Sequence, residues 1–177
     1  MGMGKKAIVG IGCIIVGLII ALGLLTCTER IPAGYVGVVY SMSGGVQDEV
    51  LTQGWHVVSP TKKVTRYSIA TEQLYMNKDG NEDSSFDVIC LDGKMNVDLE
   101  MSYSFDADEV TAVYKKYRGL SGEEVVNSIV KGKIKTKVSE VTSQYSVLEA
   151  YMEKKAQLNK DITAALQSYL KEFGVTV

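Results

Sequence analysis

Three cysteines, one histidine and several closely spaced carboxylates are the residues of this chain whose types could do chemistry. His56 lies in the stretch GWHVVSP, Gly54 to Pro60, among apolar neighbours. A metal site or an acid–base pair needs a partner for it, and no second histidine exists, so its role is read as structural. Cys13 falls inside an apolar run, Cys27 stands at its exit, and Cys90 is alone in the polar part, so no internal disulfide can form there. Asp98 and Glu100, two positions apart, have the spacing of an acid/base pair but also that of one wet face of a strand. NKDGNED, Asn77 to Asp83, gathers oxygen ligands. Its glycine does not follow the third of them, and no glutamate closes the loop at the EF-hand distance. The nucleophile elbow, phosphate-loop, dinucleotide and zinc-protease motifs are all missing from the sequence. These residues point away from an enzyme, and no cofactor or metal is expected. The enzymatic alternative is a membrane-tethered hydrolase dependent on His56.

The elements that must position these residues begin with the apolar run. Residues 7–25 contain no charge, and about nineteen helical residues span roughly 28 Å, close to the hydrocarbon thickness of a bilayer. Ala7, Ile8, Leu18, Leu24 and Leu25 are read as anchor residues of a transmembrane helix. Lys5 and Lys6 precede the run, while Glu29 and Arg30 cancel after it, which keeps the amino terminus cytoplasmic and puts the rest on the outer, periplasmic or extracellular, side. The run is longer than the apolar core of a cleaved signal, so an uncleaved anchor is expected. The alternative is a lipoprotein-type binding module cleaved before, and acylated on, Cys27, although Thr26 is a poor match to the small residue such a site needs. Palmitoylation of a retained Cys27 is a further possible lipidation. The organisation is therefore a short cytoplasmic segment (1–6), an anchor (7–25) and one folded domain (26–177).

That domain reads as α+β. GYVGVVYS (Gly34–Ser41) and GWHVVSP are strand-like, and Lys63 to Met76 supplies two more short strands. Asp92-Gly93 is expected to be the two-residue turn of a hairpin. Its second arm alternates Met95, Val97, Leu99, Met101, Tyr103 and Phe105 against Asn96, Asp98, Glu100, Ser102 and Ser104, as an antiparallel strand with one wet face would. Helices follow. One is expected within Asp106–Gly119, with acids at its start and bases at its end. Two capping boxes, Ser121/Glu124 and Ser146/Glu149, open amphipathic helices, the last closed by Gly174. The final GVTV looks like half a strand, as in a fragment of a longer protein. Trp55 is read as a core residue, with an interfacial role for Trp55 and Tyr35 as the other reading.

Charge is uneven. From Glu72 to Glu109 eleven acids face two lysines, whereas from Val110 to Tyr145 seven bases face three acids. Two solvated faces account for this; the sharper expectation is a head-to-tail contact in which Asp98 and Glu100 of one subunit meet Lys131, Lys133, Lys135 and Lys137 of the next. The basic helix offers no aromatic platform and the domain is acidic overall, which argues against nucleic acid.

IPAGYVGVV directly after a membrane segment, then LTQGWHVVSP, VICLDGKMNVDLEMSYSF, VYKKYRG and a terminal LKEFGVTV together resemble the SPFH (stomatin/prohibitin/flotillin, or Band 7) domain. The resemblance runs from Thr28 to the end, and its prohibitin-like feature is a single amino-terminal anchor. It implies a non-enzymatic scaffold with a mostly antiparallel sheet and carboxy-terminal helices, assembled with further copies into membrane-attached rings or cages. Such a scaffold organises membrane microdomains and can restrain a membrane AAA protease. It also implies a coiled coil after the domain, which does not follow Val177 here. The expected partners are membrane lipids, further copies of the chain and such a protease.

Overall fold

Valines at 36, 38 and 39 and Gly37 are all buried in one strand, β2 (Tyr35–Ser41), which is therefore covered on both faces. A Cβ on Gly37 would meet Val64 Cγ1 at 2.7 Å and Ile31 Cδ1 at 2.9 Å, so only glycine lets the flanking strands approach. The computed structural model describes residues 4, 11, 12, 14–18, 23, 27–78 and 85–177. Around β2 lie β1 (Thr28–Ile31), β3 (Gly45–Val46), β4 (Gly54–Val57) and β5 (Lys62–Ser68). They make a three-stranded sheet, β3-β2-β5, and a two-stranded ribbon, β1-β4. The second half holds β6 (Glu72–Met76), β7 (Phe86–Ile89), β8 (Lys94–Val97), β9 (Leu99–Phe105) and β10 (Val175–Thr176), paired as β10-β9-β6 and β7-β8. Every described strand pair is antiparallel.

The long alternating arm appears as expected, with Leu99, Tyr103 and Phe105 buried and Asn96, Asp98, Glu100 and Ser102 exposed, but it breaks at Asp98 into β8 and β9. The two pieces serve different partners: β8 pairs with β7, β9 with β6 and β10. The hairpin turn is shifted by one residue from the expected place. Ile89 pairs with Lys94 and the Cys90 amide donates to the Gly93 carbonyl at 2.9 Å, so Leu91-Asp92 forms the tip. Neither Asp92 nor Gly93 has a positive φ. Asp92 is instead held by its carboxylate, which accepts the Val147 amide at 2.7 Å and ties the hairpin to the helical layer.

Helix α1 (Val110–Lys116) starts later than its acids suggested. The Asp106 carbonyl takes the Glu109 and Val110 amides and its carboxylate takes the Asp108 amide, making a turn that precedes the first helical residue. Both capping boxes form: Ser121 and Glu124 satisfy each other's amides, as do Ser146 and Glu149. Helix α2 (Gly122–Val125) passes through a π turn (Val126–Val130) into α3 (Lys131–Thr142). In an α-helix a step of four residues overshoots the full turn by about 40°. The wider turn takes up part of that drift and keeps Val126, Val130, Ile134 and Val138 on the buried face. A second π turn (Glu149–Glu153) precedes α4 (Lys155–Leu170), and Gly174, at φ 68°, turns the chain into β10. One apolar core joins both halves, from Val36 and Tyr67 to Ile134 and Leu170.

Leu18 is helical and exposed, whereas Ala7, Ile8, Leu24 and Leu25 lie outside the described residues. Most of the NKDGNED loop also lies outside them. Among the described residues no helix is long and apolar enough to cross a membrane.

Candidate functional site

Two places stand out: the join between the apolar run and the domain, and a groove between the two halves. At the join, the Cys27 amide donates to the Gly23 carbonyl at 3.1 Å, the spacing of one α-helical turn, and strand β1 begins at Thr28. The Cys27 carbonyl accepts the Val58 amide at 2.7 Å, so the residue is engaged on both backbone sides. Cys27 is half-buried and unpaired. In the ribbon, Thr28 pairs with Val57, Glu29 with His56 and Arg30 with Trp55. Alternation splits it into an inner face with Glu29, Ile31 and His56 and an outer face with Thr28, Arg30, Trp55 and Val57. Trp55 is therefore not a core residue. It is 70% exposed and Val57 is 83% exposed, because both occupy the strand positions that point away from Ile31. The Arg30 guanidinium sits 5.8 Å from the Trp55 ring centroid. His56 uses Nε2 to donate to the Thr52 carbonyl at 2.7 Å, which takes that nitrogen out of service as a base. Tyr35, the other expected interfacial aromatic, is half-buried and points its hydroxyl at Glu72.

The groove has a volume of about 750 Å³ and runs between β5, β6 with β9, and the start of α2. Glu72 accepts hydrogen bonds from the Tyr103 hydroxyl at 2.8 Å and from that of Tyr35 at 3.4 Å. Burial, and then the Glu72 carboxylate, raise the Tyr103 hydroxyl above the ordinary phenol value. Arg66 on the other wall holds Glu29 at 2.6 Å and so ties the ribbon to β5. Thr65 Oγ1 is buried on this wall without a hydrogen-bond partner among the described residues. The cradle is polar, with Lys63, Arg66 and Lys131 against Glu29, Glu72, Glu123 and Glu124. Its Ser121 hydroxyl, which donates to the Glu124 carboxylate at 2.8 Å, is engaged with it in the cap of α2, and among the described residues no three His, Cys, Asp or Glu side chains could share a metal ion. Cys90 is buried, and that burial, followed by the Asp92 carboxylate, pushes its thiol up, the opposite of an activated cysteine.

The charged residues expected to form a contact are spread out. Asp98 and Glu100 are exposed, and Glu100 accepts from Asn77 at 3.2 Å. The four lysines alternate around α3 rather than forming one stripe, since positions two apart on a helix point to nearly opposite sides. Lys131 lines the groove, Lys135 lies over the Phe86 ring at 5.5 Å, and Lys137 lies over Tyr169 at 5.5 Å while pairing with Glu140 at 3.0 Å. Lys133 is exposed. Sequence reasoning missed the groove because its walls come from segments far apart in the chain. It misread Trp55 because a single four-residue strand carries no mark of which face is covered.

A family model described as the SPFH domain / Band 7 family matches residues 29–177. The chain belongs to the SPFH/Band 7 family. Among curated proteins no match is found. The antiparallel sheets and carboxy-terminal helices fit an SPFH domain, and members of the family are membrane-associated scaffolds, generally without enzymatic activity.

Proposed function

We propose that this SPFH protein is a single-pass membrane scaffold that assembles with further copies of itself into a ring or cage, organises the bilayer it surrounds, and restrains a membrane AAA protease. It works by enclosure and not by catalysis. The observation that carries the reading is the join: Cys27 is hydrogen-bonded to Gly23 on one side and to Val58 on the other, so almost no slack separates the apolar run from the sheet. A domain tied that closely to a membrane helix has its orientation set by the bilayer, which suits subunits that must all lie the same way up. Many such anchors joined laterally hold a membrane patch by avidity even when each contact is weak. Lateral contacts pairing Asp98 and Glu100 with the basic helix, principally through Lys133 and Lys131, agree with a head-to-tail geometry that closes into rings. The amino terminus is then cytoplasmic and the domain lies on the outer side.

The test is intact-mass analysis of the protein from its membrane, followed by sizing after cross-linking. A retained amino terminus and a discrete, large cross-linked species support the reading. A chain that begins at Cys27 and carries lipid mass replaces it with the lipoprotein, and a monomer at all concentrations removes the ring.

A further inference from the structure

The groove between the two halves runs beside a strand edge that no described strand pairs. β5 ends the sheet β3-β2-β5, so one of its sides is free. The register says which residues use that side. Gly37 of β2 exchanges both main-chain hydrogen bonds with Leu51, at 2.8 Å each, so its pairing with Arg66 is of the kind without mutual bonds. In such an antiparallel pair both residues turn their N–H and C=O outward. The main-chain groups of Arg66, and by the two-residue repeat those of Val64 and Ser68, therefore point into the groove that all three line. They find no hydrogen-bond partner among the described residues.

Across the groove β6 ends the sheet β10-β9-β6. The Asp106 amide donates to the Gly174 carbonyl at 3.2 Å, which makes Phe105 and Val175 a pair without mutual bonds and turns Phe105 toward the β6 side of β9. The same alternation commits Tyr103 and Met101 to Glu72 and Leu74, and turns the main chain of Gln73 and Tyr75 away from β9, on the side where they line the groove.

A second, independent observation points to a ligand. Thr65 lines the same groove and is 7% exposed, and its hydroxyl has no hydrogen-bond partner among the described residues. It shares the face of β5 that carries Tyr67, whose ring lies against Gly122 at the start of α2. A buried hydroxyl without a partner costs stability unless something outside the domain supplies one.

The occupant follows from the pattern. Main-chain groups that repeat about every 6.8 Å match another main chain better than any small molecule. From Val64 to Ser68 the edge is about 14 Å long, the length of four or five extended residues. Charge around the groove is nearly balanced, with Lys63, Arg66 and Lys131 against Glu29, Glu72, Glu123 and Glu124, which suits an uncharged segment and neither a polyanion nor a polycation. On the α2 side a hydroxyl residue opposite Thr65 completes that side chain, and on the other side an aliphatic residue meets Val64.

We propose that the groove is a strand-docking site: an extended, uncharged segment of a partner protein, alternating hydroxyl and aliphatic residues, adds to the free edge of β5 and fills the space toward β6. The site needs neither the anchor nor the ring, and it gives the scaffold a means of holding another protein by its main chain.

The probe is a blocked five-residue peptide of alternating threonine and valine, added at millimolar concentration to the full chain in mild detergent. Amide hydrogen exchange is read at single residues. Without peptide, the Val64 and Arg66 amides should exchange about tenfold faster than those of Thr65 and Tyr67, which are bonded to β2. The peptide should slow Val64 and Arg66 about tenfold, and the same peptide N-methylated at every residue should bind about tenfold more weakly. Thr65→Val keeps the shape and removes the hydroxyl, so it should raise the thermal midpoint of the free protein and weaken the peptide about threefold. Four results would each overturn the proposal. Exchange at Val64 and Arg66 that the peptide leaves unchanged, or equal binding of the methylated peptide, would show that the edge is not read. A lower midpoint in Thr65→Val would show its hydroxyl already partnered within the domain. Protection of Val64 and Arg66 before any peptide is added would show the edge closed by a second copy of the chain.

Discussion

Replacing Tyr67 by phenylalanine removes one oxygen from the point where the two halves of the domain meet. Tyr67 is completely buried on β5, and its hydroxyl donates to the Leu120 carbonyl in the link between α1 and α2. Its ring packs edge-to-face on Phe105 of β9 at 5.3 Å, and a Cβ on the neighbouring Gly122 would already approach Phe105 to 2.9 Å. Leu120 is half-buried, and its carbonyl would lose a donor that comes from a completely buried side chain. A net bond is worth about 1 kcal/mol and a stranded acceptor about 1–3 kcal/mol, so Tyr67→Phe should cost about 1–2 kcal/mol. For a chain of this size that lowers Tm by about 2–8 °C. The assay is urea and thermal unfolding of the full chain in detergent micelles, followed by far-ultraviolet circular dichroism. A second measurement isolates the ring: Tyr67→Leu and Phe105→Leu, alone and together, should show about 1 kcal/mol of coupling. If Tyr67→Phe unfolds within about 0.3 kcal/mol of the parent, below the usual scatter of neutral substitutions, the hydrogen bond does not hold the halves together. Strict additivity of the two leucine variants would show that the aromatic contact does not either.

Gly132→Ala should stabilise the domain by about 0.5–1 kcal/mol, because Gly132 is inside α3, exposed, with nothing within 4 Å of the added Cβ; urea unfolding checks it. Ser121→Ala should cost about 1 kcal/mol through loss of the cap on α2, read the same way. The same variant should flatten the acid limb of the stability curve. Glu124 is held below its ordinary pKa, first by the Ser121 amide and then by the Ser121 hydroxyl, so its contribution is present above the ordinary carboxylate range and is lost as pH falls through the depressed value. At the other end, burial holds the Tyr67 and Tyr103 hydroxyls above the ordinary phenol value. The unfolded chain gives up those protons first, so stability is full below about pH 10, falls above it, and should fall less steeply in Tyr67→Phe. Changing Lys131 and Lys133 together to glutamine should reduce the cross-linked assembly most at low salt, and an unchanged size distribution would remove the charged contact.

The parts of the fold legible in the sequence are those whose signal is local. Both capping boxes are decided within four residues, the Gly174 exit by one, and the alternating arm by a period that needs only its own strand. The errors share a cause. Asp92-Gly93 is the preferred pair for a tight turn, yet the turn sits at Leu91-Asp92, because the Asp92 carboxylate is taken by the Val147 amide, fifty-five positions away in sequence. The acids at 106–109 look like a first helical turn, yet Asp106 makes a turn of its own before α1. In both cases a side chain that accepts a backbone amide outcompetes the propensity of the dipeptide or the charge run.

Trp55 and the lysines of α3 show the same limit at the level of surfaces. A hydrophobic residue in a short strand is buried only if its face meets another layer, and four residues cannot say which face does. The ribbon register answers it: Ile31 goes in, so Arg30, and with it Trp55, goes out. The lysines at every second position look like one basic stripe in a linear sequence, but α-helical geometry sends them to opposite sides, where Lys135 and Lys137 are used by Phe86, Tyr169 and Glu140 within the same chain. What remains free for a partner is then much narrower than the charge count suggests. Lys133 stands in solvent, Lys131 faces the groove, and the bare Trp55 face stands beside the join.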